Sequence, residues 1–101
     1  MANMLVINGV LTIDPTRRTD LVAAALTMMA ASQAEAGCHR YVFTADLERD
    51  DLFHISEKWT DQEALDAHFA TDHMAAFRKA ITGGVKGSDV YKYEVSSESK
   101  M

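Results

Sequence analysis

The chain has one cysteine, Cys38, in 101 residues. That excludes an intrachain disulfide, and a lone thiol suits a reducing compartment, so a cytoplasmic location is expected. Long hydrophobic runs are lacking too. The apolar stretch from Met4 to Leu11 is broken by Asn8 and Gly9 and has no basic residues ahead of it. It reads neither as a signal peptide nor as a membrane span, which needs ~20 apolar residues. Positive charge is sparse: ten Lys and Arg stand against fifteen Asp and Glu, for a net charge of −5. The basic residues are scattered, which argues against nucleic acid as a partner, since phosphate binding needs them clustered. There is no His-Glu-x-x-His and no cysteine pair. His68 and His73 are wrongly spaced for one helical face, so no metal site is read. Gly83, Gly84 and Gly87 follow a helix, not a strand, and make no phosphate loop.

What is present is an ordinary globular composition, 48% hydrophobic and 25% charged. The length suits a single domain over 1–101 that buries roughly two-thirds of its unfolded surface. Met4 to Thr12 reads as a first strand. Asp14-Pro15 opens a helix from Pro15 to about Ala36, with an apolar stripe at Leu21, Val22, Ala25, Leu26 and Met29 and a stop at Gly37. Cys38 to Leu47 is a second strand, with Tyr41, Phe43, Ala45 and Leu47 on one face. Leu52 to Trp59 is a third, with Phe53, Ile55 and Trp59 together. Thr60-Asp61-Gln62-Glu63 reads as a capping box for a second helix, which breaks near Thr71-Asp72 and restarts with Met74, Phe77 and Ile81. Val90 to Val95 is the last strand, so the core spans about 4–95, and 96–101 is a polar, frayed tail.

The order β-α-β-β-α-β predicts a ferredoxin-like α+β protomer: a four-stranded antiparallel sheet with both helices on one face. The other face is uncovered, yet the first strand is apolar on both sides, with Met4, Val6 and Val10 opposite Leu5, Ile7 and Leu11. The last strand adds Tyr91, Tyr93 and Val95. An uncovered apolar sheet face is an association surface, and a two-fold homodimer is its simplest closed solution.

Particular residues then carry a resemblance. Glu-Ala-Gly-Cys at 35–38 leads out of the first helix. Glu57-Lys58-Trp59 ends the third strand. Ala64-Leu65 and His68 follow in the second helix, then His73 and Phe77. Through these the chain resembles the antibiotic-biosynthesis-monooxygenase family over roughly 4–95. The resemblance implies a dimeric α+β barrel. It also implies a small quinol or anthrone monooxygenase using O₂ with no metal or flavin, a haem-degrading oxygenase, or an isomerase. Asn8 stands where oxygenases of this family carry a polar pocket residue, and Trp59 matches the family's strand tryptophan. The haem-degrading branch needs a histidine where this chain reads Ala75-Ala76-Phe77-Arg78, and favours a tryptophan at the place of His68. Both departures weigh against haem.

The expected function is therefore cofactor-independent oxygenation of a small aromatic quinol, phenol or anthrone, without nucleic acid or membrane partners. A non-catalytic dimer binding a small aromatic metabolite is the alternative, as is an isomerase of the same fold. His68 or His73 is expected to take the proton, because their places on helix ends favour opposite protonation states. Asn8 and the Trp59 indole N–H are expected to hold substrate oxygens, and Tyr41, Phe43, Phe69 and Phe77 to form the walls. Each has a plainer reading. The aromatics can be core, and Asn8 can face the dimer edge. Glu57 shares strand parity with Trp59 and reads as structural, needing a basic partner such as Arg40, Arg78 or Lys92. His39 and His54 read as exposed strand residues, and Cys38 as a small core residue.

Overall fold

The computed structural model describes residues 3–101. Met1 and Ala2, which the expected domain included, lie outside the described residues. The elements are β1 (Met4–Ile13), a 3-10 turn (Pro15–Arg17), α1 (Arg18–Gln33), β2 (Cys38–Ala45), β3 (Leu52–Trp59), α2 (Gln62–Phe69), α3 (Asp72–Ala80) and β4 (Val85–Val95). They form a ferredoxin-like α+β fold, with one sheet in the order β2-β3-β1-β4 and every neighbouring pair antiparallel. Among the described residues, no helix is long and apolar enough to cross a membrane.

The differences from expectation have local causes. Asp14 caps the chain's entry to α1, its Oδ1 accepting from the Thr16 amide at 3.0 Å, but the first turn is 3-10 and regular helix begins only at Arg18. Asp61, not Thr60, caps α2: its Oδ1 accepts from the Ala64 amide at 2.9 Å. The Thr60 hydroxyl instead meets His39 Nε2 at 2.7 Å. The break after α2 is complete, because Thr71 ends one helix and starts the next. Its hydroxyl donates to the His68 carbonyl at 2.7 Å and accepts from the Met74 amide at 3.2 Å. β2 stops at Ala45, leaving Leu47 fully exposed in the turn. β4 starts at Val85, five residues earlier than expected. Lys86, Ser88 and Asp89 carry polar side chains, which suits an edge strand, and Gly87 to Asp89 pair with Thr12 to Val10 of β1.

Registry sorts side chains onto the two faces of the sheet. Leu5, Ile7 and Ile13 of β1 lie under the helices with Tyr41, Phe53, Ile55 and Trp59, packed by Leu21, Ala25 and Met28 of α1 and Leu65 of α2. Each such apolar side chain contributes roughly 1.5–3 kcal/mol by leaving water. The alternate residues Met4, Val6, Asn8 and Val10 face the other way. Across from Asn8 and Val6 lie Tyr91 and Tyr93, 57% and 52% exposed. This face carries no helix. Glu98 of the C-terminal tail reaches Lys58 in an ion pair.

Candidate active site

Glu57 and Trp59 are two residues apart on β3, so both side chains point under the helices. Trp59 is wholly buried, and its indole N–H donates to Glu57 Oε1 at 2.8 Å. That bond supplies the partner a buried indole requires. It also corrects the expectation that a basic side chain would pair with Glu57. Arg40 bonds Ser56, Arg78 reaches the Phe69 carbonyl, and Lys92 bonds the Gln62 side chain. Glu57 is 6% exposed. Burial pushes its carboxyl up to about 7; the nearby Glu35 charge adds to the push, and the indole hydrogen bond opposes it.

Tyr41 lies opposite Glu57 on β2. Burial, with the Glu57 and Glu35 charges behind it, raises its phenol, which stays protonated at all ordinary pH. Beside it the Ser32 hydroxyl is fully buried and makes no well-formed hydrogen bond. Aromatic rings continue outward from Tyr41. Phe43 is 5.6 Å away between centroids, and Phe77 a further 5.6 Å beyond Phe43. On the other side His68 lies 5.3 Å from Tyr41 and 4.7 Å from Trp59, and Phe69 follows at 5.7 Å from His68.

Among the described residues three sizeable openings border this cluster. A groove of about 280 Å³ lies between α2 and β4. Ile7, Leu65, Phe69 and Val90 make its apolar walls, Gln62, Tyr91 and Lys92 its polar side, and Glu57 is its buried acid. A second, of about 160 Å³, runs from α1 to Phe43 and Phe53 and has Arg18 as its one ionisable residue. A third, of about 320 Å³, lies between α1 and α3, with Phe77 and the edge of His73. The first joins an apolar interior to a buried carboxyl raised to about 7, and the third is bordered by the His73 imidazole.

The expected site residues are thus only partly brought together. Trp59, Tyr41, Phe43, Phe69, Phe77 and His68 form one aromatic cluster. Asn8 does not join it: it is exposed on the opposite face of the sheet, between Ser56 and Tyr91. His68 is 1% exposed, and its ring borders none of the three openings. His68 Nδ1 and His73 Nε2 instead both lie against Glu35 Oε2, at 2.6 and 2.8 Å. The helix break at Thr71 defeats the spacing argument that had separated the two rings. Sequence reasoning missed Glu57 as a titrating group, although its parity with Trp59 already placed it on the buried side. It missed Glu35 as the histidines' shared partner, because nothing local links positions so far apart. Cys38 is half-buried with its thiol raised by burial. His39 is exposed, and His54 pairs with Asp46 at 2.8 Å.

Comparison with known proteins agrees with this architecture. A 73-residue stretch, 72% of this chain, is 32% identical to the uncharacterised protein sll1783 of Synechocystis, and spans only half of that protein's length. The chain is also 27% identical over 74 residues to YcnE of Bacillus subtilis, provisionally named a monooxygenase, with 73% of this chain and 78% of that one covered. Among solved structures, a Bacteroides thetaiotaomicron protein described as a possible oxidoreductase superposes with a TM-score of 0.86 at 29% identity, covering 94% of this chain and all of that one. PA3566 of Pseudomonas aeruginosa gives 0.87 at 26%, covering 96% and 98%. The family model for antibiotic biosynthesis monooxygenase matches residues 4–80, from β1 to the end of α3, and the chain belongs to that family.

Proposed function

We propose that this protein is a homodimeric monooxygenase that oxidises a small aromatic quinol, phenol or anthrone with O₂, and that Glu57 is its base. One observation carries the reading: a buried carboxyl, raised to about 7 and held by the Trp59 indole, borders an apolar groove of about 280 Å³. That volume is close to the lower end of ligand pockets, roughly 300–1,000 Å³, and suits a compact molecule. Membership of a family named for monooxygenation points the same way.

The chemistry asks little of the protein. Glu57 takes a proton from the substrate, and the resulting anion passes one electron to O₂. Radical and superoxide combine to a carbon-bound peroxide, which Glu57 reprotonates. At a ring CH₂, loss of the remaining hydrogen with the outer oxygen gives C=O and water. One oxygen atom enters the substrate and the other leaves as water. A raised carboxyl is a stronger base than an ordinary one, and the apolar walls of the groove strengthen each hydrogen bond to the anion. The sequence reading gave this step to His68 or His73. Glu57 is the better placed, because it borders the groove and His68 does not. An isomerase of anionic substrates would want converging cations, and among the described residues Lys92 is the one cationic side chain along this groove.

The test is oxygen uptake with a panel of quinols and anthrones. Wild type is expected to exceed the spontaneous rate, with kcat/KM rising through pH ~7. Glu57→Gln should lose on the order of 10²–10⁴-fold of that gain. A folded wild type that binds these rings but consumes no oxygen would overturn the reading in favour of a binding protein. Equal turnover in Glu57→Gln would remove Glu57 as the base.

A further inference from the structure

A second cluster of donors lies outside the Glu57 groove. Glu35 sits in the turn after α1, His68 in the last turn of α2 and His73 in the first turn of α3. One atom from each lies within 4.8 Å of the other two. We propose that Glu35, His68 and His73 bind one divalent first-row transition ion, of which Zn²⁺ is the representative.

Two imidazole nitrogens and a carboxylate oxygen are a donor set that such ions take, with a water in the fourth position. Both nitrogens already face one oxygen, Glu35 Oε2, at 2.6 and 2.8 Å. Donors around a tetrahedral zinc stand about 3.3 Å apart, given bonds of about 2.0–2.1 Å. The two contacts to Oε2 need to open by about 0.5–0.7 Å, and the two ring nitrogens, now within 4.8 Å of each other, to settle at the same spacing, with the ring hydrogens that now point at Oε2 moving to the other ring nitrogens. Thr71 holds the junction that presents the two rings together, bonded to the His68 carbonyl and the Met74 amide.

Charge argues in the same direction. Glu35 is largely buried and feels the carboxylate of Glu57. Among the described residues its ion-pair partners are these two histidines, with no Lys or Arg. A largely buried carboxylate with no Lys or Arg beside it favours a cation, and a divalent ion bound by neutral imidazoles supplies one. Access exists as well. His68 is sealed, but Glu35 keeps a little exposure and His73 is about a quarter exposed and borders the groove between α1 and α3. The ion would clasp the end of α1 to the α2–α3 junction. None of its ligands borders the Glu57 groove, so ion binding is tested without any oxygenase activity.

Chelator-stripped protein is titrated with Zn²⁺ by calorimetry, and with Co²⁺ by visible absorption and X-ray absorption. The expected result is one ion per chain. Glu35→Gln and His73→Ala should each weaken it by more than about 100-fold, beyond the loss typical of a partner that only orients a ligand. The double variant His39→Ala/His54→Ala should bind like wild type, and the ion should raise the melting temperature of wild type but not of Glu35→Gln. Binding that survives in folded Glu35→Gln and His73→Ala, or that disappears with His39 and His54, overturns the site. Should a ligand variant fail to fold, the wild-type cobalt spectrum decides. A shell of nitrogen and oxygen at about 2.0–2.1 Å that includes two imidazoles supports the proposal, and its absence ends it.

Discussion

Glu57 is a residue whose burial weakens the fold. Its carboxyl titrates near 7 in the folded protein against an ordinary value of 4.5. The folded state therefore holds this proton more tightly than the unfolded chain does. The fold is spared the charge below pH ~4.5. Stability then falls as pH rises through the interval to ~7 and levels off above it, by up to about 3 kcal/mol. Glu57→Gln keeps an acceptor for the Trp59 indole and removes the charge. The variant is expected to be more stable than wild type at pH 8 by about 1–3 kcal/mol and nearly equal to it at pH 4.5. Urea denaturation of the two proteins at both pH values checks this, since subtraction cancels every other titrating group. A variant that gains stability and loses turnover marks a residue kept for chemistry. A variant less stable at pH 8 would make Glu57 a structural acid.

Among the elements, β1 and β4 leave no room for a side chain at Gly9. A Cβ built there would stand 2.2 Å from the Asp89 carbonyl oxygen and 2.5 Å from Val90 Cα. These are backbone atoms of the neighbouring strand, so they yield only if β4 moves. Gly9→Ala is expected to destabilise by about 2–3 kcal/mol and to loosen the Val90 wall of the Glu57 groove. Thermal unfolding gives the first effect, and faster amide exchange confined to β4 the second. The α2–α3 junction offers a gentler test. Thr71→Ala removes a helix cap and should cost ~1 kcal/mol. These two places also separate what could be read from sequence from what could not. Strand parity in β1 and β3 and the helix break near Thr71 are local signals, and they led to the fold, whereas α1 ends at Gln33 and not at about Ala36 before Gly37. The early start of β4 was hidden, because Gly87 to Asp89 take strand form by pairing with β1 and not by their own preference. The meeting of Glu35 with His68 and His73 was hidden too, since it joins segments more than thirty residues apart. Asn8 failed for a simpler reason: alternation along β1 assigns it to the face of Val6 and Val10, not to that of Ile7.

At the scale of the whole molecule the protein is a slab 44 × 31 × 19 Å, one sheet and one layer of helices thick. Two layers leave one sheet face bare, and here that face is not built for water. Met4, Val6, Val10 and Val95 are only partly exposed on it, and the two tyrosines Tyr91 and Tyr93 stand half out. An apolar strip flanked by aromatic side chains has the composition of an interface core. A second copy meeting it about a two-fold axis would cover the strip on both protomers at once, which a heterologous contact could not do without growing into a chain. The exposed amide of Asn8 sits between Tyr91 and Ser56 in the middle of this face, so in such a dimer it acts across the interface and away from the groove. The dimer predicted by the sequence therefore has a sharp test. Val6→Lys places an unpaired ammonium in the centre of the strip while leaving the helix-covered core untouched. Analytical ultracentrifugation is expected to give a dimer for wild type and a monomer for Val6→Lys at the same concentration, with both folded by circular dichroism. Wild type sedimenting as a monomer would assign the strip to a different partner. If the dimer forms and the variant breaks it, the monomer also shows whether the Glu57 groove, whose side includes Tyr91 and Lys92 of the edge strand, keeps its shape alone. Oxygen uptake that survives in the monomer would confine the chemistry to one protomer. Its loss would mean that pairing holds β4 against β1 firmly enough to complete the groove.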